Sequence, residues 1–586
     1  MKEDKRYEQY LKDVLNTSPK VLLIRPPQLF YFGVWPRGPR LSIPVGLLSV
    51  ASFLESKNID VSIYDCFVEG SDFKNFKPVN GRQENFTNRW VRYFEDGGIT
   101  SEERDKVNTD SNGNKQLEHF GADWTELSDY LSSTKPDIIG ITNLFRENTE
   151  ETIKCADLIR SVLPGAIIVV GGPNATALPE YMLEKSEAID FVSAGDGEYP
   201  MAEIVEWRHG KRKIESISGI VFRGFNEFVQ TSSDNQINEL DHYGHINYNL
   251  IKLERYFAYE RAGIMSRNKF DYNGSERAVS IVTSRGCPYK CSFCSIHIHA
   301  GRKFRRYSVD HTLDHIENLV KDFNVRHIHF EDDNLTLDKE RFKRLSQGIL
   351  DRGLKFTWDT PNGVFANTLD EEMLTLMKLT GCIYLVVGVE SGDQWVLDNV
   401  IYKQPLTIDH VINAFKLGKK VGIDMHAFYI IGFPRETLKN IKTTLNFAIN
   451  SLKEYDITPH IALARADPGT SLFKEAKESG TLVSDYSLSN AGGVHIDYFV
   501  RHLIKTQEFT PEDLERLNES YHKKSIRIIA QKTILFLMKH PYNILTSSKF
   551  FLKSLFVEKV PFKDSLIKLF FCRLFYRNAL LRIRPN

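Results

Sequence analysis

Thr283-Ser284-Arg285-Gly286-Cys287-Pro288-Tyr289-Lys290-Cys291-Ser292-Phe293-Cys294 directly follows the apolar run Val279-Ser280-Ile281-Val282. The run reads as a strand, and Gly286 and Pro288 bend the loop beyond it so that three sulfurs can converge on one centre. Their spacing is C-x3-C-x2-C. Iron–sulfur clusters are held by Cys thiolates and usually take four, so three would leave one iron open to a group that is not protein. The alternatives are a zinc knuckle or unrelated core cysteines. Structural zinc takes four ligands, commonly as two C-x2-4-C pairs, and His297 and His299 could complete such a site only awkwardly.

Downstream, strand-like runs recur at 327–331, 355–359, 383–389, 424–431 and 457–464, with helical stretches between them. With 278–284 they make six βα units, too few to close a standard eight-stranded barrel. Polar groups gather where the strands end. His329-Phe330-Glu331-Asp332-Asp333-Asn334 closes the second strand, and Gly388-Val389-Glu390-Ser391-Gly392 closes the fourth. Tyr429-Ile430-Ile431-Gly432-Phe433-Pro434 ends the fifth, and Ala466-Asp467-Pro468-Gly469-Thr470 follows the sixth. Helix N-capping by Asp333 or Asn334 is the ordinary alternative for the acidic group. The basic run Gly301-Arg302-Lys303-Phe304-Arg305-Arg306 reads as a solvated face, with charge balance beside an anionic centre as the alternative.

Upstream, Val21–Ile24, Val61–Asp65, Asp137–Thr142, Ala166–Val170 and Phe191–Ser193 read as strands. They alternate with helices that begin after Pro44, near 124–133 and over 148–163. This order predicts an α/β domain with a doubly wound, Rossmann-like parallel sheet, whose ligand site lies beyond the carboxyl ends of the strands. Residues 67–115 are polar and rich in Asn and Gly, as an insertion is, and Ile217–Arg223 with Glu227–Val229 reads as a hairpin. The expected division is an extension over 1–19, the Rossmann-like domain over 20–235, a linker over 236–277, the partial barrel over 278–485 and a mostly helical region over 486–586.

The cysteine stretch resembles the signature of the radical S-adenosylmethionine (radical SAM) superfamily, with Phe293 at the aromatic place before the third cysteine. The resemblance implies an open six-unit barrel and a [4Fe-4S] cluster on Cys287, Cys291 and Cys294. The open iron would chelate S-adenosylmethionine, and one-electron reduction would release a 5′-deoxyadenosyl radical, the protein positioning and shielding this chemistry. Glu331, Asp332 and Asp333 stand where the family holds the methionine amino group, Glu390 and Ser391 where it contacts ribose, and Gly432 where it lies beside adenine.

The upstream domain is similar to the cobalamin-binding domain that precedes the radical SAM domain in one large subgroup. The matching segments include Thr142-Asn143-Leu144, Gly171-Gly172 and Gly195 to Glu198. In that subgroup a Ser/Thr-x-Leu segment and a Gly-Gly pair flank the buried nucleotide tail, and glycines permit the close backbone approach. Many corrinoid domains carry an Asp-x-His-x-x-Gly loop after the first strand, whose His ligates cobalt. Here Arg25-Pro26-Pro27 stands in that place, and the similar string Asp65-Cys66-Phe67-Val68-Glu69-Gly70 has Phe67 at the histidine position. The resemblance therefore implies a lower cobalt face without a His ligand.

Composition narrows the setting. Among 586 residues Lys+Arg and Asp+Glu both number 76, so no global charge points to nucleic acid. Seven cysteines, three of them clustered, make no disulfide framework and fit a reducing cytoplasm. The N-terminus is charged without an apolar signal region, and no apolar run reaches the roughly 20 residues that span a bilayer. After residue 521 the only acids are Glu558 and Asp564, while Lys, Arg, Phe, Leu and Ile recur through expected helices over 526–539, 543–557 and 562–583. Such helices either pack on the barrel or present a basic, aromatic face to the inner side of the membrane or to a lipid-like substrate.

The expected reaction, from the resemblance, is methyl transfer to an unactivated carbon of a small or lipid-like molecule, fed by an external flavodoxin- or ferredoxin-like reductant. Rival readings keep both cofactors but end in oxidation, cyclisation or rearrangement. Others make the chain a non-catalytic redox or membrane-associated binding protein, or a zinc-bound regulator.

Overall fold

The computed structural model describes residues 19–31, 42–70, 117–232, 237–261, 277–482 and 504–539. Two parallel sheets organise them. The first runs β2-β1-β3-β4-β5-β6-β7, with β1 Val21–Arg25, β2 Val61–Asp65, β3 Ile138–Thr142, β4 Ile167–Gly171, β5 Phe191–Ser193, β6 Ile220–Arg223 and β7 Phe228–Gln230. The first five strands are parallel, and β6 and β7 add the expected hairpin antiparallel at the edge.

Strands covered on both faces read as continuous apolar runs, and β1 shows why. Leu22 and Ile24 enter one core with Leu127 and Leu131 of α2 (Trp124–Thr134) and Cys155 and Ile159 of α3 (Thr149–Val162). Val21 and Leu23 enter the other, with Leu47, Ala51 and Leu54 of α1 (Val45–Ser56) and Met201 and Ile204 of α4 (Glu198–Arg208). Pro44 opens α1 at its N-cap position.

The second sheet runs in chain order, β8 Ala278–Ile281, β9 His327–Phe330, β10 Thr357–Val364, β11 Cys382–Glu390, β12 Asp424–Ile431 and β13 Thr458–Leu463. All neighbours are parallel, so the six βα units form a partial barrel. Side chains alternate across a strand. Val279, Ile281, Ile328, Phe330, Trp358, Leu385, Val387, Met425 and Ala427 face the common core. Ser280, His327, His329, Asp359, Tyr384 and His426 take the opposite face, so the inside of the curve is polar.

Three expectations change. Cys66–Glu69 forms a helical turn capped by Asp65, so the start of the 67–115 insertion is regular, and Leu117–Phe120 beyond it pairs antiparallel with Gln28–Tyr31; most of that insertion lies outside the described residues. Part of the segment expected as a linker over 236–277 is helical and packed. Leu253, Tyr256 and Phe257 of the helix Leu253–Arg261 are buried in the barrel core. The helix expected over 526–539 spans Pro511–Lys539, with Leu514, Tyr521 and Ile528 in the same core. The segments 543–557 and 562–583 lie outside the described residues. No helix among the described residues is long and apolar enough to cross a membrane.

Candidate active site

β8 ends one residue short of Thr283, and the loop that follows turns on Gly286 at φ +87°. A side chain there would meet the Lys303 carbonyl oxygen at 2.4 Å, so only glycine fits. Cys287, Cys291 and Cys294 are free thiols. Burial pushes Cys287 up to about 11 and Cys294 up to about 12, with the neighbouring sulfurs adding to both; burial also raises Cys291, against the pull of Lys403. Thiols raised in this way stay protonated at neutral pH until a metal displaces the proton. Among the described residues the cysteines are not a set of three ligand atoms within 4.8 Å of one another. Three thiolates carried on one loop suit a cluster that takes its remaining ligand from outside the protein. His297 and His299, on the short helix Ile296–His299, complete no such zinc set either.

The acidic group divides its work. Asp332 is fully buried and accepts from the Thr283 amide at 3.1 Å, the Thr283 hydroxyl at 2.7 Å and the Ser284 hydroxyl, so its carboxylate fastens the start of the loop. Asp333 accepts from the Gly286 amide at 2.8 Å, and burial pushes it up to about 6. Glu331 accepts from Ser280 on the inner face at 3.0 Å. Neither Asp333 nor Asn334 caps the next helix; Asp338 does, accepting from the Arg341 amide.

On the far side, Ser292 is bonded into the π-helical turn Leu397–Ile401, its amide donating to Ile401 at 2.8 Å and its hydroxyl to Val400 at 2.9 Å. The Leu472 amide, just past the Pro468-Gly469-Thr470 turn, donates to the Ser292 carbonyl at 2.8 Å. The π turn delivers Lys403, whose ammonium lies 2.9 Å from Glu390 Oε1 and 4.2 Å over the Phe365 ring. Phe365 in turn stacks on Tyr289 of the cysteine loop at 4.0 Å. Glu390 holds φ +68°, a strained conformation for a non-glycine residue.

Other expected contacts are taken up by the framework. Ser391 is bonded to Thr444 at 2.8 Å and is fully buried. The Gly432 amide donates to Glu436 at 2.7 Å, so this N–H is engaged within the framework. Phe293 lies near Phe433, with ring centroids 6.1 Å apart.

The carboxyl edge of the first sheet has the features of a cradle. Thr142 is half-buried, whereas Leu144 and Phe145 are exposed apolar side chains at 43% and 55%. Gly172, at φ +105°, has no room for a side chain because the Asn143 carbonyl stands 2.8 Å from where its Cβ would be. Gly171 is open enough for ordinary contact, and the buried Ser193 hydroxyl beside it has no hydrogen-bond partner among the described residues. An orphaned hydroxyl, paired glycines and exposed apolar groups fit a ligand with a polar tail and a broad apolar face. At the place where a cobalt-ligating histidine would stand, the Arg25 guanidinium lies 3.9 Å over the Phe67 ring.

Gly195 to Glu198 serves another purpose. Arg285, two residues before Cys287, reaches Glu198 at 2.7 Å and Asp196 at 3.0 Å. Arg305 also pairs with Asp196, Tyr243 donates to it at 2.9 Å, and Ser49 donates to Glu198. Burial works against the Asp196 carboxylate, but Arg285 and Arg305 hold it well below the usual range. Glu198 therefore fastens the two sheets together instead of presenting its carboxylate to a ligand. Of the basic run, Arg305 is fully buried and paired with Asp196, so it is no part of a solvated face. Arg285 escaped sequence reasoning because Glu198 lies 87 residues away in the chain, Lys403 because it follows an irregular turn, and Ser193 because only the fold leaves its hydroxyl without a partner among the described residues.

Comparison with known proteins agrees with this geometry. Residues 281–448 match the family model described as the radical SAM superfamily, and residues 110–205 match the B12 binding domain. The chain is 28% identical over 440 residues to the cytidylyl-2-hydroxyethylphosphonate methyltransferase of Streptomyces wedmorensis, covering 71% of this chain and 73% of that protein. It is 26% identical over 403 residues to the anaerobic magnesium-protoporphyrin IX monomethyl ester cyclase of Cereibacter sphaeroides, covering 66% and 60%. The structure of the cobalamin-dependent S-adenosylmethionine radical enzyme OxsB, with aqua-cobalamin and S-adenosylmethionine bound, shares the fold at a TM-score of 0.61 and 18% identity, covering 97% of this chain and 76% of that one. The chain thus carries a radical SAM domain and a B12 binding domain, the pairing of the cobalamin-binding radical SAM enzymes, and these domains imply a [4Fe-4S] cluster, S-adenosylmethionine and cobalamin as its cofactors.

Proposed function

We propose that the enzyme methylates an unactivated carbon of a small-molecule or lipid-like substrate held between the two sheets. The observation that carries this reading is the Arg285 network, which sets the carboxyl edge of the first sheet against the cysteine loop of the second. When bound, the cluster and S-adenosylmethionine supply hydrogen abstraction, and cobalamin supplies the methyl group. The chain's own residues bind and orient. Cys287, Cys291 and Cys294 hold the cluster, and Glu331, Asp333 and Glu390 offer carboxylates to the polar groups of the nucleotide. Thr142, Gly171, Gly172 and Ser193 receive the corrinoid tail. No side chain is assigned a proton-transfer role, because radical transfer does not need one. An external one-electron donor is required, as for radical SAM enzymes generally, and a flavodoxin- or ferredoxin-like protein is the expected type.

The test is anaerobic turnover with cobalamin, a strong reductant and S-adenosylmethionine deuterated at its methyl group, using a metabolite extract as substrate source. Incorporation of a labelled methyl group into a product supports methylation. A second reading, oxidation or cyclisation, draws on the likeness to the cyclase. It predicts 5′-deoxyadenosine and a changed product without label, and that outcome displaces the first.

A further inference from the structure

The inner face of the barrel carries a second group of ligand-type side chains, away from the cysteines. His327 opens β9 in register with Ala278, the first residue of β8, whereas the cysteine loop leaves the other end of β8. His327, His329 and Asp359 are buried, and one ligand atom of each lies within 4.8 Å of the others. Asp359 Oδ2 is 3.2 Å from His327 Nε2, and Oδ1 is 2.8 Å from His329 Nδ1.

Thr357 holds the outer ring in place: its hydroxyl lies 2.8 Å from His327 Nδ1 and 3.3 Å from the Arg326 carbonyl. The edges of 2.8 and 3.2 Å approach the roughly 3.3 Å between ligands that sit about 2.0–2.1 Å from a tetrahedral ion. Ligating histidines usually bond their other ring nitrogen to a fixed partner, and the Thr357 hydroxyl stands at that place beside His327 Nδ1.

We propose that His327, His329 and Asp359 bind one divalent transition-metal ion at the floor of the barrel, separate from the cluster. Two imidazoles and a carboxylate suit zinc or ferrous iron, and three protein ligands leave coordination open on the ion. This goes beyond the proposed methylation, which does not depend on it.

Cobalt(II) is the probe. The full-length Cys287→Ala/Cys291→Ala/Cys294→Ala variant, titrated anaerobically with Co2+, is expected to develop a visible ligand-field band that saturates at one equivalent and is bleached by zinc. Adding His329→Gln or Asp359→Asn should abolish the band. If the triple variant does not fold, Co2+ is titrated into cluster-loaded enzyme, and the band is sought as the difference between wild type and His329→Gln. A band absent, or unchanged by His329→Gln, overturns the assignment and leaves a buried, hydrogen-bonded His–Asp–His group in its place.

Discussion

Removing Lys403 strands the Glu390 carboxylate in a buried site beside the cysteines. Breaking a buried ion pair from one side costs about 3–5 kcal/mol, while replacing both partners with neutral groups is far milder. Lys403→Met is therefore expected to lower the thermal unfolding midpoint by several degrees, and Lys403→Met with Glu390→Gln to recover most of the loss. Glu436 tests residue chemistry through pH. Burial pushes its carboxyl up to about 7, against the two backbone amides it accepts. Below the ordinary value of 4.5 both folded and unfolded chains are protonated there. As pH rises from that value to about 7 the unfolded chain ionises first, so stability falls across this window and then levels off. Glu436→Gln keeps an acceptor for both amides. It should flatten that decline and gain on the order of 2–3 kcal/mol at about pH 8, read by unfolding midpoints across pH.

At the scale of the element, the cysteine loop is tied from several directions: Asp332 and Asp333 below, the π turn and Leu472 beside it, and Ala300 to Lys303 across Gly286. Gly286→Ala has no room to relax, since the obstructing atoms are backbone carbonyls. We expect it to cut iron and sulfide content severalfold after reconstitution while the far-ultraviolet circular dichroism stays unchanged. This element also marks where sequence reading stops. The cysteine spacing was legible because one loop must carry all three ligands, so the pattern is local. The six strands were legible because helices cover their outer face and force apolar residues at alternate places. The separate duties of Asp332 and Asp333 were not, because adjacent carboxylates look alike until one is seen locked to Thr283 and the other to the Gly286 amide. Lys403 was equally hidden. It lies in a turn with no periodicity and meets Glu390 only through a π-helical detour.

Across the whole molecule, the two sheets were legible from their apolar runs, but their junction was not. Asp196 and Glu198 stood in a segment resembling a ligand loop, and only the fold brings Arg285, 87 residues beyond Glu198, against them. Glu198→Ala leaves a mostly buried guanidinium with one of its two carboxylates, at a cost toward the lower end of the about 3–5 kcal/mol for breaking a buried pair. The expected result is that calorimetric unfolding splits into two transitions and limited proteolysis quickens between the sheets, whereas Glu198→Asp shows a smaller effect.

The grip of Arg285 has a practical corollary for how the enzyme handles its cargo. Because the arginine sits in the same stretch of backbone as the first sulfur ligand, the halves cannot swing like a jaw without wrenching the iron site out of shape. The slot is better pictured as a vice set at one width, so a homologue that accepts bulkier molecules would have to carve its walls instead of opening its hinge.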